Sequence, residues 1–332
     1  MRIGFVYDLR DDYLGEGFSP EAVVEFDTEA TIGAIAACLT GMGHEVDRIG
    51  RGHRLAARLL AGERWDLVFS IAEGVSGRSR EAQVPALLEM FDQPYLFSDP
   101  LTMALTLDKA VCKRVVRDAG VPTPPFAVLS HPDEAAGLEL GFPVFVKPLS
   151  EGTGKGCDLL SLVEGAGALR KVVLEKWERY RQPLLVESFL PGREFTVGVV
   201  GNGARAEVIA VMEILLNDMA DPLVYSMDNK EMCESRVIYR LIEGPLAETL
   251  AARALLAHQV LGCRDTSRVD FRCDEAGDPQ FLEVNPLPGL HPSHSDLPIL
   301  AALAGLPYEG LMAKILEAGV ERLGLSPTPA GG

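Results

Sequence analysis

Two short stretches near the C-terminal end of the chain, 268–272 and 281–285, hold the residues whose types and spacing best fit a chemical role. Each alternates apolar and polar residues, as a β-strand with one buried face does, and a turn-rich stretch separates them. We expect a hairpin that is symmetric about residues 276 and 277. Such a hairpin brings four polar side chains to one face, with Asp270 opposite Glu283 and Arg268 opposite Asn285.

This polar cluster could bind a hard cation. Two carboxylates and an amide oxygen suit Mg²⁺, which usually completes its coordination shell with water and nucleotide phosphates. The neighbouring Arg268 could then stabilise developing negative charge. The alternative is a solvated sheet face with cross-strand charge pairs. The apolar flanks and the segment Pro286–Gly289 that follows favour the metal site over that alternative.

A lysine followed by a glycine-rich loop forms a second candidate. Lys147 ends an apolar strand that Pro148 closes, and the backbone amides of the loop 149–156 could lie over phosphates. In a third segment, an apolar strand that contains Glu187 leads through a short link to Glu194. Taken alone, the second segment is more typical of a common glycine-rich hairpin loop whose lysine reaches solvent. The third segment, taken alone, indicates an inter-domain hinge with ordinary surface acids.

The first hundred residues supply a scaffold in which strands and helices alternate. Strands are predicted at 3–7, 45–49 and 65–71. One helix is predicted by the apolar spacing of 32, 35, 36 and 39, and another over 53–62. This series predicts a small parallel sheet. Neither G-x-G-x-x-G after the first strand nor a Walker A motif is present, which argues against dinucleotide binding.

Breaks in these patterns divide the chain into predicted domains. One break falls near 98–109, and another begins at Gly120–Pro125, which no helix can cross. A helix, strands and the glycine-rich loop are expected up to residue 187, strands dominate from 188, and helices follow from about 296. We therefore predict domains at 1–108, 109–187 and 188–325, with a frayed tail at 326–332.

Composition excludes several classes of protein. The 332 residues carry 31 Lys and Arg against 48 Asp and Glu, a net charge of −17, which disfavours binding to nucleic acid or to an anionic membrane. No apolar run reaches the roughly 18 residues of a membrane span. The six cysteines form no C-x-x-C pair, and the N-terminus shows no apolar leader. We expect a cytoplasmic protein without structural zinc.

The order of these segments resembles that of the ATP-grasp ligases, and within them the D-alanine–D-alanine ligases. The resemblance runs over nearly the whole chain and is strongest at 66–69, 107–109, 120–126, 146–156, 187–197 and 268–298. It implies an α/β ATP-grasp fold in which an N-terminal Rossmann-like domain with a parallel sheet precedes two α+β domains that sandwich ATP. It also implies a homodimer with small, amino-acid-like substrates.

The chemistry implied by the resemblance is formation of a peptide-like bond at the expense of ATP. A carboxylate attacks the γ-phosphate, an amine attacks the resulting acylphosphate, and ADP and phosphate are released. Positioning and charge neutralisation then carry the rate, as in other phosphoryl transfers. The loop at 151–156 is expected to close and exclude water, because an acylphosphate hydrolyses.

The resemblance also assigns roles to individual residues. The groups that meet the ATP phosphates are Lys109, Lys147 and Lys230, and further cofactor-binding residues in the loop are Glu151, Gly152 and Gly154. The groups that meet adenine and ribose are Glu187, Leu190 and Glu194. The ligands of two Mg²⁺ ions are Asp270, Glu283 and Asn285, the set proposed above from the hairpin. The groups that stabilise the oxyanion are Arg268 and the backbone of Gly289, and Thr153 takes the place of a serine in the substrate loop.

Several positions depart from the D-alanine ligase pattern. The acid that holds the ammonium of the first substrate is one of Glu25, Asp27 and Glu29, and we favour Glu25. Glu73 stands where the family has a histidine, and Glu231 where a tyrosine often occurs. The loop that binds the acceptor carboxylate, which contains Ser293 and Ser295, is one residue longer here and ends with Asp296 in place of an apolar residue.

Asp296 leads to two interpretations. An acid beside the acceptor carboxylate would repel it, which favours an acceptor other than plain D-alanine, such as one with an extra amine. The other interpretation is that Asp296 merely caps the helix that begins near Leu297. The leading functional prediction is an ADP-forming ligase. The alternatives are a biosynthetic amino-acid or peptide ligase with a different acceptor, and a non-catalytic nucleotide-binding regulator, which would be expected to lose ligands that this chain keeps.

Overall fold

The computed structural model of the chain describes residues 1–220, 229 and 232–325. Its strands are β1 Arg2–Val6, β2 Glu45–Gly50, β3 Leu67–Ser70, β4 Phe126–Leu129, β5 Val144–Pro148, β6 Leu162–Val163, β7 Leu184–Ser188, β8 Glu194–Val200, β9 Glu207–Leu216, β10 Val237–Leu241, β11 Thr266–Cys273 and β12 Pro279–Asn285. Its α-helices are α1 Arg10–Gly15, α2 Glu29–Gly41, α3 Gly52–Leu60, α4 Gln83–Met90, α5 Pro100–Leu107, α6 Lys109–Asp118, α7 Ala166–Tyr180, α8 Cys233–Arg236, α9 Pro245–Val260, α10 Asp296–Leu303 and α11 Tyr308–Leu323.

The N-terminal sheet is parallel, as the alternation of strands and helices predicted. Its order is β2-β1-β3, and β1 pairs in parallel with both neighbours. Three of the four residues that predicted the face of α2, namely Ile32, Ile35 and Leu39, are fully buried. Apolar side chains at helical spacing therefore fix which face of α2 covers the sheet.

The core of this sheet is completed by the far end of the chain. Phe5 and Phe69 from the sheet belong to one buried cluster with Leu311, Met312 and Ile315 from α11. Arg322 of the same helix pairs with the fully buried Asp265 at 2.7 Å, and Asp265 also accepts the amide of Phe97 at 2.8 Å. The C-terminal helix is thus part of the packing of the first sheet.

Two further sheets are antiparallel, and they carry the polar segments. The central sheet has the order β4-β7-β5-β6, with the glycine-rich loop between β5 and β6. The C-terminal sheet has the order β10-β9-β8-β11-β12. The three sheets fall in the three predicted domains, although β7 passes the 187/188 limit by one residue, so the domain boundaries remain a proposal.

One long helix of the C-terminal part is not predicted by the sequence patterns. Strands dominate between 188 and about 296, as expected, and α9, Pro245–Val260, is an additional element within that stretch. Proline at the first helical position suits a helix start, and Leu250, Ala254 and Ala257 are fully buried at helical spacing. Small alanines form that buried face, so the helix lies close against the sheet.

The hairpin of β11 and β12 has the predicted register where it matters for the cluster. Arg268 lies opposite Asn285 and Asp270 opposite Glu283, as predicted. The assumed symmetry fails beyond that point, because a register shift between Asp270 and Phe271 pairs Phe271 with Phe281. The bulge adds one residue to the β12 side. It leaves the four polar side chains together on one face.

Within the described residues, no single helix is long and apolar enough to cross a membrane. Helices α10 and α11 reach the required length and composition only as a pair, and they are bent by 111° with respect to each other. Both helices contribute residues to the buried core around the first sheet.

Candidate active site

The polar face of the hairpin is held together by hydrogen bonds around Asp270. Its carboxylate accepts from the Thr196 hydroxyl at 2.6 Å, from the Arg268 guanidinium at 2.8 Å and from the Asn285 amide at 3.2 Å. Thr196 reaches Asp270 because β8 pairs with β11 at that residue. The two carboxylates and the amide predicted as metal ligands therefore lie on one positioned face.

Lys109 connects this face to the glycine-rich loop. It is the first residue of α6, whose N-cap Asp108 accepts the amide of Val111 at 2.9 Å. Its ammonium lies 3.2 Å from the carboxylate of Glu283 and donates to the backbone carbonyl of Glu151. A cation predicted to meet phosphates thus stands between a predicted metal ligand and the loop.

A cleft between the central and C-terminal sheets brings most of the predicted nucleotide groups together. Its lining includes Lys109, Lys147, Glu151, Gly154, Glu187, Leu190, Glu194, Asp270 and Glu283. At one end Glu194 pairs with Arg272 at 3.4 Å, and the Arg272 guanidinium lies over the ring of Phe189. The apolar Leu190 beside them is buried.

A buried triad of two lysines and one glutamate lies in the wall of the cleft. The Glu187 carboxylate lies 2.6 Å from the ammonium of Lys147 and 2.9 Å from that of Lys113. Burial alone would raise the pKa of Glu187, but the two lysines lower that pKa to about 2. Glu187 therefore stays ionised, with each of its carboxylate oxygens within 3 Å of one lysine ammonium.

The two lysines of the triad respond differently to burial. Burial lowers the pKa of Lys113, which is fully buried, below its usual value. Burial also opposes the charged form of Lys147, but Glu187 outweighs this effect and holds the pKa of Lys147 above its usual value. Sequence reasoning missed Lys113. Its position four residues after Lys109 on α6 was the available signal, because such residues share a helix face.

The glycine-rich loop is held by side chains on both of its sides. The Glu151 carboxylate is bound by Gln182 at 2.6 Å and by Lys155 at 3.0 Å. Thr153 has a backbone φ of +52°, which a β-branched residue rarely adopts. Gly156 has a φ of +76°, and a Cβ there would lie 2.5 Å from the ring of Pro148, so a glycine is required.

A larger cavity of about 570 Å³ adjoins the hairpin face, and it contains most of the predicted substrate residues. Its lining includes Glu25, Asp27, Glu73, Glu81, Thr153, Arg268, Asn285, Gly289, Ser295 and Asp296. Ser293 is exposed and does not line this cavity, unlike Ser295. Lys230 and Glu231 lie outside the described residues.

Three acids of this cavity, Asp27, Glu73 and Glu81, have raised pKa values. Burial raises the pKa of Asp27 to about 7. Burial likewise raises the pKa of Glu81 to about 7, against the opposing effect of Arg80. Burial, reinforced by Glu81 and Glu25, holds the pKa of Glu73 well above its usual range. This end of the cavity is thus rich in acids, and some of them are protonated near neutral pH.

Asp296 is directed towards Arg268. The two side chains are 3.7 Å apart, and the hydroxyl of Tyr239 lies 3.4 Å from the Asp296 carboxylate. Asp296 is the first residue of α10, and the N-cap position belongs to Ser295, so the expectation that Asp296 caps the helix is wrong. A carboxylate in the first turn still interacts favourably with the helix dipole. The Arg268 guanidinium is therefore shared between Asp270 and Asp296.

Comparison with known proteins shows the family of this chain. A sequence model described as "D-ala D-ala ligase C-terminus" matches residues 115–317. A D-alanine–D-alanine ligase of Sinorhizobium medicae is 33% identical over 307 residues, which cover 91% of this chain and 94% of that protein. An uncharacterized protein of Sinorhizobium fredii is 36% identical over 258 residues, which cover 76% of this chain and 74% of that protein.

A solved structure agrees in overall fold. The D-alanine–D-alanine ligase of Bacillus anthracis complexed with ATP matches with a TM-score of 0.73 and 25% sequence identity, and the match covers 97% of this chain and 98% of that one. These comparisons do not favour the alternative of a biosynthetic ligase with a non-D-alanine acceptor. The chain belongs to the D-alanine–D-alanine ligase family, with the ATP-grasp fold and the ADP-forming ligase class that the resemblance implied.

Proposed function

We propose that this chain joins two molecules of D-alanine at the expense of ATP. The observation that carries the proposal is the polar face of the β11–β12 hairpin, where Asp270, Glu283, Asn285 and Arg268 meet Lys109 at the junction of the two cavities. This junction is where a phosphate in the cleft and a carboxylate in the larger cavity would come into contact.

ATP would lie in the cleft between the central and C-terminal sheets. Leu190 and the backbone of the β7 hinge fit an adenine, Glu194 fits a ribose, and Lys109 and Lys147 fit phosphates. The described residues hold no group of three or more His, Cys, Asp or Glu side chains arranged for a metal. Two carboxylates and an amide are nevertheless a fitting set for Mg²⁺ that also binds phosphate oxygens. Bound there, Mg²⁺ would neutralise phosphate charge.

The reaction has two steps that the residues can support. A carboxylate oxygen of the first amino acid attacks the γ-phosphorus, and the bond from that phosphorus to ADP breaks. The amine of the second amino acid then attacks the acyl carbon, the bond from that carbon to the phosphate breaks, and the amine loses a proton. Arg268 lies 2.8 Å from Asp270 on the shared face, where it would stabilise the oxyanion of this second step together with the backbone of Gly289.

The remaining assignments are parts of the same proposal. Glu25, or another acid of the cavity, would hold the ammonium of the first substrate, and Thr153 and Ser295 would contact the substrates. Lys230 would reach the terminal phosphate and Glu231 the substrate. We also propose that the protein is a homodimer in the cytoplasm, and light scattering on the purified protein would test the dimer.

The decisive experiment measures phosphate release with ATP and Mg²⁺ over a panel of D- and L-amino acids and amines, with the product identified by mass. D-alanine alone should give turnover and a product with the mass of D-alanyl-D-alanine. Turnover only with another acid or amine would overturn the proposed substrate. Tight ATP binding without turnover for any pair would overturn ligase activity altogether.

A further inference from the structure

Arg80 connects the N-terminal part of the chain to the glycine-rich loop. It opens the short 3-10 helix Arg80–Ala82 before α4, and it is 7% exposed. Its guanidinium donates to the backbone carbonyl of Ser150 at 2.7 Å and to the carboxylate of Glu25 at 2.6 Å. A buried arginine that satisfies a loop carbonyl and an acid at the same time restrains both.

Glu25 continues this connection. Its second carboxylate oxygen accepts the backbone amide of Gly152 at 2.5 Å. The loop is therefore bound at two successive points, at Ser150 through Arg80 and at Gly152 through Glu25. Removing either side chain would release a contact between segments more than 50 residues apart in the chain.

The Arg80–Glu25 pair lies between two cavities. The substrate cavity of about 570 Å³ and a second cavity of about 530 Å³ share Glu25, Phe26 and Glu151 in their linings, and Arg80 lines the second one. The shared residues form the partition between the two spaces. Separation of the pair would be expected to open this partition and give water a route to the reacting groups.

The loop also has a reason to need restraint. The positive φ of Thr153 strains the backbone of the loop, because the branched side chain crowds the carbonyl. A strained loop opens unless contacts outside the loop hold it. Arg80 and Glu25 provide such contacts.

We propose that Arg80 is a positioning residue that, with Glu25, holds the glycine-rich loop shut over the substrate cavity and keeps water from the acylphosphate. The proposal rests on the proposed ligase function. When the contacts of Arg80 and Glu25 with the loop are lost, the oxygen of water attacks the acyl carbon and the bond from that carbon to the phosphate breaks. The free carboxylate, phosphate and a proton are released. ATP is then consumed without a peptide bond.

The test compares phosphate released with dipeptide formed, under saturating ATP and D-alanine, in the wild type and in Arg80→Gln. The wild-type ratio should be close to one. The variant should raise the ratio at least threefold while its kcat for phosphate release falls less than that for dipeptide. Arg80→Lys, which keeps the charge but cannot fork to both partners, should give an intermediate ratio. An unchanged ratio in Arg80→Gln would overturn the proposal.

Arg179→Gln is the matched control. Arg179 pairs with Glu21 at 2.7 Å across the same junction, but this pair is exposed to solvent. An exposed pair contributes little, so the ratio should stay at the wild-type value. A ratio that rises equally in Arg179→Gln would overturn the specific role of Arg80.

A second measurement does not depend on activity, so it tests the proposal even if the wild type does not turn over D-alanine. Hydrogen exchange of the peptide 149–157 in the full chain without substrates should be faster in Arg80→Gln by about tenfold or more, and unchanged in Arg179→Gln. If the wild type does not turn over D-alanine but exchange changes in this way, the proposed function is rejected and the restraint of the loop by Arg80 is kept. If the wild type turns over D-alanine but exchange in Arg80→Gln is unchanged, the restraint of the loop by Arg80 is rejected and the proposed function is kept.

Discussion

The buried triad in the wall of the cleft between the central and C-terminal sheets allows a sharp test of charge compensation. Lys113, Glu187 and Lys147 together carry a net charge of +1 in a space where the three residues are 0%, 3% and 7% exposed. Glu187→Gln would leave two buried ammonium groups without a counter-charge. Lys113→Met, in contrast, would leave the neutral pair of Glu187 and Lys147, which are 2.6 Å apart.

The expected magnitudes follow from these charges. Breaking a buried pair so that a charge remains uncompensated costs about 3–5 kcal/mol, so Glu187→Gln should lower the free energy of unfolding by that amount. With an m value of about 3 kcal/mol/M, the urea midpoint falls by about 1–1.7 M. Lys113→Met should cost about 1–2 kcal/mol, because it loses hydrogen bonds to Thr123 and the Phe281 carbonyl without stranding a charge.

The assay is urea unfolding of both variants and the wild type without nucleotide, at pH 7 and pH 9.5. In Glu187→Gln the pKa of Lys113, already lowered by burial, should fall further below its unfolded value. A lysine with a depressed folded pKa destabilises the protein below its unfolded pKa and ceases to do so as the pH rises towards that value. The deficit of Glu187→Gln should therefore shrink at pH 9.5. Equal midpoints for the two variants at pH 7 would refute this reasoning.

Three further predictions concern the cavities. Asp270→Asn and Glu283→Gln should each reduce turnover by about two orders of magnitude or more while circular dichroism and the melting temperature stay near wild type, and near wild-type turnover in both would refute the metal assignment. Asp296→Asn, which leaves Arg268 paired only with Asp270, should lower KM for the second D-alanine about threefold or more, and an unchanged or higher KM in steady-state kinetics would contradict the sharing of Arg268. Asp27→Asn should raise the free energy of unfolding more at pH 8 than at pH 5, by on the order of 2 kcal/mol. The reason is that an acid with a folded pKa of about 7 destabilises the protein increasingly as the pH rises from about 4 to 7. Equal gains at both pH values in urea unfolding would argue against the raised pKa.

The sequence was informative where spacing within one element decides which side chains share a face. Alternation along β11 and β12 is enough to predict that Arg268, Asp270, Glu283 and Asn285 lie together. The bulge after Asp270 could not be predicted from the sequence, because the pattern of apolar and polar residues does not show where one extra residue is left unpaired. Helix α9 was missed although Leu250, Ala254 and Ala257 have helical spacing, because alanines give a weak apolar signal.

Contacts between distant segments could not be read from the sequence. The pairing of Arg80 with Glu25, and of Lys113 with Glu187, depends on how separate sheets pack against each other. A charged residue that is buried in such a junction looks like any surface residue in a single sequence. The resemblance supplied roles for Lys147 and Glu187 but not the partner Lys113 that fixes the charge state of both.

The position of α11 in the core of the first sheet has a consequence for synthesis of the protein. The strands β1 and β3 leave the ribosome long before residues 308–323, whose side chains Leu311, Met312 and Ile315 complete their core. The nascent N-terminal segment must therefore wait with apolar surface uncovered until almost the whole chain has been translated. Such a segment is prone to aggregation, so we expect its productive folding to depend on chaperones that bind the growing chain.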